Sequence, residues 1–247
     1  DKNFCWDNPC HPIPHNDSWG SDPRLYINIT KENAAKFLPA PSPTPFLPPA
    51  ANSVSVKDFG AKGDGVTDDS VAIQNAINSL PTTGGTVNVP AGTYMLGTSN
   101  GSLLTFPNGQ PILCALKFNK DNTTLRGESN TATVLKLMAN KKMRALCAPT
   151  KSPVIEKVAI DGNGRQRILY DPATGKPWTW PDGNVVDGIL TVANSSNAIV
   201  RDCEIRNGIE DGVGTWQAND VLVQNCYIHD NGGFVFDPSA GFNVGAN

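Results

Sequence analysis

Near its C-terminus the chain repeats itself. Asn197-Ala198-Ile199-Val200-Arg201-Asp202-Cys203-Glu204-Ile205-Arg206-Asn207 aligns with Asp220-Val221-Leu222-Val223-Gln224-Asn225-Cys226-Tyr227-Ile228-His229-Asp230 at a constant offset of 23. The alignment puts Ile199 on Leu222, Val200 on Val223, Cys203 on Cys226 and Ile205 on Ile228, and Asp187-Gly188 recurs as Asp211-Gly212 at an offset of 24. A period of this length marks a chain that stacks small units, none of which buries its apolar face alone. Each unit holds only short β-prone runs and turns, so it reads as one coil of an all-β solenoid. A fainter copy is Val154-Ile155-Glu156-Lys157-Val158-Ala159-Ile160-Asp161-Gly162-Asn163.

Winding the chain this way sets residues one period apart on adjacent coils, at the inter-strand spacing of about 4.8 Å. Inward Val, Ile and Leu then line up in ladders. Cys203 and Cys226 become neighbours inside the Cα range of a disulfide, about 4.4–6.8 Å; a bonded pair and a column of free buried thiols both fit. Cys5, Cys10, Cys114 and Cys147 complete an even count of six cysteines, with Cys5 and Cys10 placed to close a small loop. Asn-x-Ser/Thr triplets begin at Asn16, Asn28, Asn100, Asn122 and Asn194. Together with Asp1 as a processed terminus, these features point to a secreted glycoprotein.

The organisation before the repeats is of a different kind. Residues 1–38 lack sustained periodicity and read as an arm. Residues 39–53 form a proline-rich strap, extended because each proline ring fixes φ and removes a donor. From Val54 onward the pattern is that of the main domain. Val54, Val56 and Phe59 suggest a short strand before the turn GAKGDG. Thr67, Asp68 and Asp69 then supply an N-cap and first-turn carboxylates to a helix over about 68–80, with Val71, Ile73, Ile77 and Leu80 at helical spacing up to Pro81. Beyond it only strand patterns follow, in TVNV, TYML, ALKF, TTLRG and TVLKL. The net charge of −3, from 20 basic and 23 acidic residues, gives no field for recruiting nucleic acid or an anionic membrane. No apolar run is long enough to span a bilayer.

The segments VKDFGAKGDGVTDDSVAIQNAI, GGTVNVPAGTYML and LKFNKDNTTLRGES resemble the opening of the pectate-lyase-like right-handed parallel β-helix superfamily, in the branch shared by rhamnogalacturonase-type, epimerase-type and tail-spike proteins. The resemblance implies a right-handed parallel β-helix over 54–247 whose one N-terminal α-helix caps the first coil. It spans lyases, hydrolases, epimerases and non-catalytic spikes, so it does not choose an activity. Of the Asp-Pro-His-Glu motif of mannuronan C5-epimerases the chain keeps Asp237-Pro238 and has Ser239 and Ala240 for the rest. The ordered motifs of polygalacturonases are absent. No phosphate loop and no zinc-type His/Cys cluster is present. No cofactor is required, and Ca²⁺ use is left open.

Three constellations carry chemistry. Asp187 and Asp211, joined by Glu210, form a carboxylate column on neighbouring coils, where like charges would raise one pKa and make a general acid; each Asp-Gly also suits a plain turn. The insertion over residues 164–183 gathers Arg165, Arg167 and Lys176 with Tyr170, Trp178 and Trp180, suited to stacking on sugar rings and gripping carboxylates. The same aromatics would equally pin the loop to the solenoid wall. Arg206 and His229 stand one coil apart beside Tyr227 and Asp230, either as proton-transfer groups or as corner residues bonding turn carbonyls.

The functional expectation is an extracellular carbohydrate-active β-helix working on a pectin-like or other uronate-containing polysaccharide by lyase, hydrolase or epimerase chemistry. The alternative is a non-catalytic structural or adhesive glycoprotein assembling end to end. Gly241-Phe242-Asn243-Val244-Gly245 reads as the start of another coil with no cap behind it. Either more coils follow, or the open solenoid end self-associates with another copy.

Overall fold

The computed structural model describes residues 52–105, 111–139, 141, 143–163, 189–208, 212–215 and 217–231, all within the unit Ala50–Asn247. The arm and nearly all of the strap lie outside the described residues. The described chain winds into three sheets, of six, six and five strands. The first sheet stacks Ser53–Ser55, Gly85–Val89, Thr123–Gly127, Val154–Glu156, Ile199–Arg201 and Leu222–Gln224. The second stacks Asp64–Asp68, Gly92–Leu96, Thr133–Leu137, Ala159–Asp161, Glu204–Arg206 and Tyr227–His229. The third holds Ser102–Thr105, Pro111–Lys117, Arg144–Cys147, Leu190–Thr191 and Val213–Gly214. Neighbours are parallel except that Ser102–Thr105 runs antiparallel to Pro111–Lys117.

The period of 23 is realised strand by strand: Ile199 stands opposite Leu222, Val200 opposite Val223, Ile205 opposite Ile228 and Arg206 opposite His229. The corner between the first two sheets keeps this register. There Lys157, Asp202 and Asn225 adopt φ of 56°, 55° and 52°, a left-handed turn that Asn and Asp enter at little cost. The next residue, Val158, Cys203 or Cys226, follows at the equivalent place on each coil. Side chains of the strands alternate in and out, so one inward ladder runs Val87, Leu125, Ile155, Val200 and another Tyr94, Leu135, Ile160, Ile205. All eight are fully buried, each burial contributing about 1.5–3 kcal/mol.

The helix occupies Ser70–Ser79, shorter than the spacing predicts, and is preceded by strand Ser53–Ser55 and a 3₁₀ turn over Val56–Phe59 where a single strand was expected. Asp69 stands at the N-cap but makes no capping bond. Its carboxylate instead accepts from the Lys62 and Gly63 amides at 2.6 and 2.9 Å, closing the GAKGDG turn. Asp68 takes the bonds that capping needs, accepting from the Ser70 amide and hydroxyl, and also holds the Gly97 amide. The helix buries Ile73, Ala76 and Ile77, so it covers the apolar end of the stack. Gln74 imitates a strand: its Nε2 donates to the Lys117 carbonyl at 2.9 Å while its Oε1 accepts the Lys117 amide at 2.8 Å. One side-chain amide thus satisfies a backbone pair that has no further coil to bond.

Cys114 and Cys147, on adjoining strands of the third sheet, form a disulfide with Cα atoms 5.9 Å apart. Cys203 and Cys226 are both free thiols. Of the two arrangements open to this pair, the unbonded one is realised. Cys5 and Cys10 lie outside the described residues.

Candidate functional site

The outward face of the second sheet carries the described residues with most chemistry. One row runs Met95, Lys136, Asp161, Arg206, His229. Two residues back along each strand a second row ends in Ala159, Glu204 and Tyr227. Strand alternation puts both rows on one face, and the register brings opposite charges together. Arg206 lies between Asp161, with Nε to Oδ2 at 3.3 Å, and Glu204, which its Nη1 contacts. Asp161 is nearly buried and also accepts from the Asn163 amide at 2.8 Å and the Asn207 side chain at 3.0 Å. His229 is held at both ring nitrogens, by Glu204 at 3.1 Å and Asp230 at 2.7 Å. The ring of the exposed Tyr227 stacks on it, centroids 4.0 Å apart and planes 23° apart.

This arrangement sets the charge states. Partial burial opposes charge on His229, but Asp230 and Glu204 outweigh it and raise its pKa. Burial likewise works against the Glu204 carboxylate, yet His229 and Arg206 hold its pKa below the usual carboxylate range. With both ring nitrogens engaged by carboxylates, the favoured imidazole form is the cation, which can give a proton more readily than take one.

A pH prediction follows from these two directions. The raised His229 pKa contributes stability that is complete below the ordinary histidine value and is lost as pH climbs through the raised one. The lowered Glu204 pKa contributes stability that is present above the ordinary glutamate value and is lost as pH falls. A melting-temperature profile should therefore decline on both sides, and His229→Gln should flatten the alkaline limb while only weakening the acid limb, because Arg206 still holds Glu204 down.

The first sheet has a matching outward row: Asn88, Arg126, Glu156, Arg201, Gln224. Glu156 is 2% exposed, with one carboxylate oxygen on Arg126 and the other on Arg201, the latter through Nε at 2.6 Å. Burial penalises the Glu156 charge, but the two guanidinium groups more than offset this and lower its pKa. Charge thus alternates coil by coil on both faces: Arg126 and Lys136, then Glu156 and Asp161, then Arg201 and Arg206.

Of the residues singled out from sequence, the structure brings Arg206 and His229 onto one face, with Tyr227 and Asp230 beside them. Asp187, Glu210 and Asp211 lie outside the described residues, as do Arg165, Arg167, Tyr170, Lys176, Trp178 and Trp180. The strands that follow the two Asp-Gly pairs are in register at 23, Leu190 opposite Val213 and Thr191 opposite Gly214, one residue out of step with the offset of 24 that aligned Asp187 with Asp211. Glu204 was missed by sequence reasoning, although its place two residues before Arg206 put it on the same strand face. Asn16 and Asn28 are outside the described residues. Asn122 and Asn194 are exposed, whereas the Asn100 amide is turned inward onto the Ala115 carbonyl at 2.7 Å. Among the described residues no three His, Cys, Asp or Glu side chains converge as a metal site, and no helix is long and apolar enough to cross a membrane.

Residues 53–174 match the family described as rhamnogalacturonase A/epimerase, pectate lyase-like, and residues 179–246 match the right-handed beta helix region. The chain is 30% identical over 208 residues to mannuronan C5-epimerase AlgE6 of Azotobacter vinelandii, covering 73% of this chain and 22% of the epimerase. It is 31% identical over 209 residues to alginate lyase 7 of the same organism, covering 78% and 21% of the two chains. Among solved structures, ORF18 of Geobacillus virus E2 superposes with a TM-score of 0.47 at 27% identity, over 65% of this chain and 27% of that one. The chain spans about a fifth of the length of these two curated relatives.

Proposed function

Because the chain belongs to the pectate-lyase-like right-handed parallel β-helix superfamily, we propose that it is an extracellular carbohydrate-active protein that works on a uronate-containing polysaccharide by lyase or epimerase chemistry. Both reactions begin by removing the proton on the carbon that bears the carboxylate, so both need a base, a proton donor and positive charge near the anion. The observation that carries the reading is the exposed Tyr227 ring stacked on His229 at the end of a charged row. Tyr227 offers a face for a sugar ring and a phenol beside it. His229, held as a cation by Asp230 and Glu204, donates the proton. Lys136 and Arg206 supply positive charge along the row, and the names of the epimerase and lyase relatives support the same substrate class.

The test is incubation of the full chain with a polyuronate panel, following ultraviolet absorbance of unsaturated ends for elimination and proton NMR for inversion at C5. Tyr227→Phe and His229→Gln should each lower turnover about a hundredfold or more while circular dichroism stays unchanged. Absence of both products with the unaltered chain, or undiminished turnover in both variants, overturns the proposal. New reducing ends without unsaturation would instead assign a hydrolase.

A second reading is a non-catalytic structural or adhesive β-helix, which the 25% identity over 209 residues to the preneck appendage protein of Bacillus phage PZA favours. Sedimentation as long polymers with no turnover on any glycan selects it.

A further inference from the structure

Three of the Asn-x-Ser/Thr triplets begin within the described residues, at Asn100, Asn122 and Asn194, and the fold treats them differently. Asn100 is a tether. Its Nδ2 donates to the Ala115 carbonyl at 2.7 Å and the Ser70 carbonyl at 3.2 Å, with the Thr98 carbonyl at 3.4 Å, so it binds the start of the helix to the third sheet. A side-chain amide nitrogen carries two hydrogens. An N-linked sugar replaces one of them and adds a bulky group that belongs in solvent, which a half-buried position between two elements does not offer.

Asn122 and Asn194 meet the opposite conditions. Both are exposed and adopt φ of 54° and 58°. Asn122 lies between strands Pro111–Lys117 and Thr123–Gly127, and Asn194 between Leu190–Thr191 and Ile199–Arg201, so both stand where the chain turns from the third sheet into the first. Asn122 Nδ2 makes one long, exposed bond, to the Thr83 carbonyl at 3.3 Å, and one hydrogen suffices for it. Its backbone is already paired, the amide with the Lys151 carbonyl at 2.8 Å and the carbonyl with the Gly85 amide at 3.2 Å. A sugar on the side chain therefore disturbs no ladder. Asn194 has no side-chain hydrogen bond among the described residues. We propose that Asn122 and Asn194 carry N-linked glycans and that Asn100, with the same motif, carries none. The proposal rests on the extracellular reading above. In the transfer, the amide nitrogen bonds to the anomeric carbon of a lipid-linked oligosaccharide diphosphate. The diphosphate leaves with the C–O electron pair, and the nitrogen gives up one proton. Both sites are on one corner, two coils apart, so the glycans clothe that edge and leave the outward face of the second sheet open to a polysaccharide.

The experiment passes the full chain, behind a secretion signal, through a eukaryotic secretory pathway. A glycan-releasing amidase in heavy-oxygen water converts each glycosylated Asn to labelled Asp, and peptide mass spectrometry reads each position separately. Label is expected at Asn122 and Asn194 and not at Asn100. Asn122→Asp and Asn194→Asp, which keep a residue that tolerates the left-handed turn, should each remove one glycan. Made in a host without this modification, both variants should melt with the parent chain, whereas Asn100→Ala should melt lower because carbonyls lose their donor. An unlabelled Asn122 or Asn194 in the secreted chain, a labelled Asn100 in chains that melt with the parent, or equal melting of all three variants overturns the proposal. Retention of the source's own protein inside its cells would defeat the extracellular reading instead, and the label pattern would still decide which positions accept a glycan.

Discussion

Glu156→Ala is expected to destabilise the protein by about 3 kcal/mol, because it leaves the Arg126 and Arg201 guanidinium groups facing each other across a gap with no anion between them. The carboxylate is nearly inaccessible and spends one oxygen on each neighbour, so its loss removes two interactions and creates a repulsion. Arg126→Ala should cost less than about 1 kcal/mol, since its side chain is 35% exposed and Glu156 keeps Arg201. Urea unfolding of the two variants checks the order. Equal losses, or a larger one for Arg126→Ala, would show that the row contributes no more than an ordinary surface pair. On heating, the Glu156→Ala loss corresponds to a fall of about 6–12 °C in melting temperature for a domain of this size. The acid limb of stability should shrink in the same variant, because a carboxylate whose pKa is lowered in the fold contributes stability only above its ordinary value.

Leu135→Ala should cost about 3–4 kcal/mol, the loss typical of a buried leucine whose surroundings cannot close the cavity. Leu135 has Tyr94 on one coil and Ile160 on the next, all without exposure, and the backbone ladder holds those coils apart at fixed spacing. The adjoining Val134 faces outward on the same strand, and Val134→Ala should cost well under about 1 kcal/mol. Thermal unfolding of the pair tests the facing of the whole second sheet. A reversed order would mean that the in-and-out assignment is wrong by one residue.

The fold was legible because a period of 23 is a direct statement of register: Ile199 and Leu222 could be paired on paper and are paired in space. The helix was legible from Ile73 and Ile77, but its first turn was not. Asp69 has the composition of a cap and is drawn away by two turn amides, Lys62 and Gly63, that only tertiary structure brings near. The fate of Cys203 and Cys226 was undecided in sequence since the Cα distance between neighbouring coils admits both a disulfide and two free thiols, and the thiols are what the structure holds. Arg206 and His229 were found by counting one period. Glu204 required counting two residues back as well, and its role shows only through contacts with both of them. The acidic pair Asp187 and Asp211 lies outside the described residues.

The alternation of sign over three successive coils makes the acidic coil the separator of two basic ones. Excising only the coil that carries Glu156 and Asp161 would set Arg126 against Arg201 and Lys136 against Arg206, like against like. Removing that coil together with the following one would instead bring Arg126 to the uncharged Gln224 and Lys136 to His229. Deletions of whole turns are therefore not equivalent in this molecule: losing the acidic coil alone sets like charges against each other on both outer walls, whereas losing it with the next one spares the first wall and still faces Lys136 with the cationic His229.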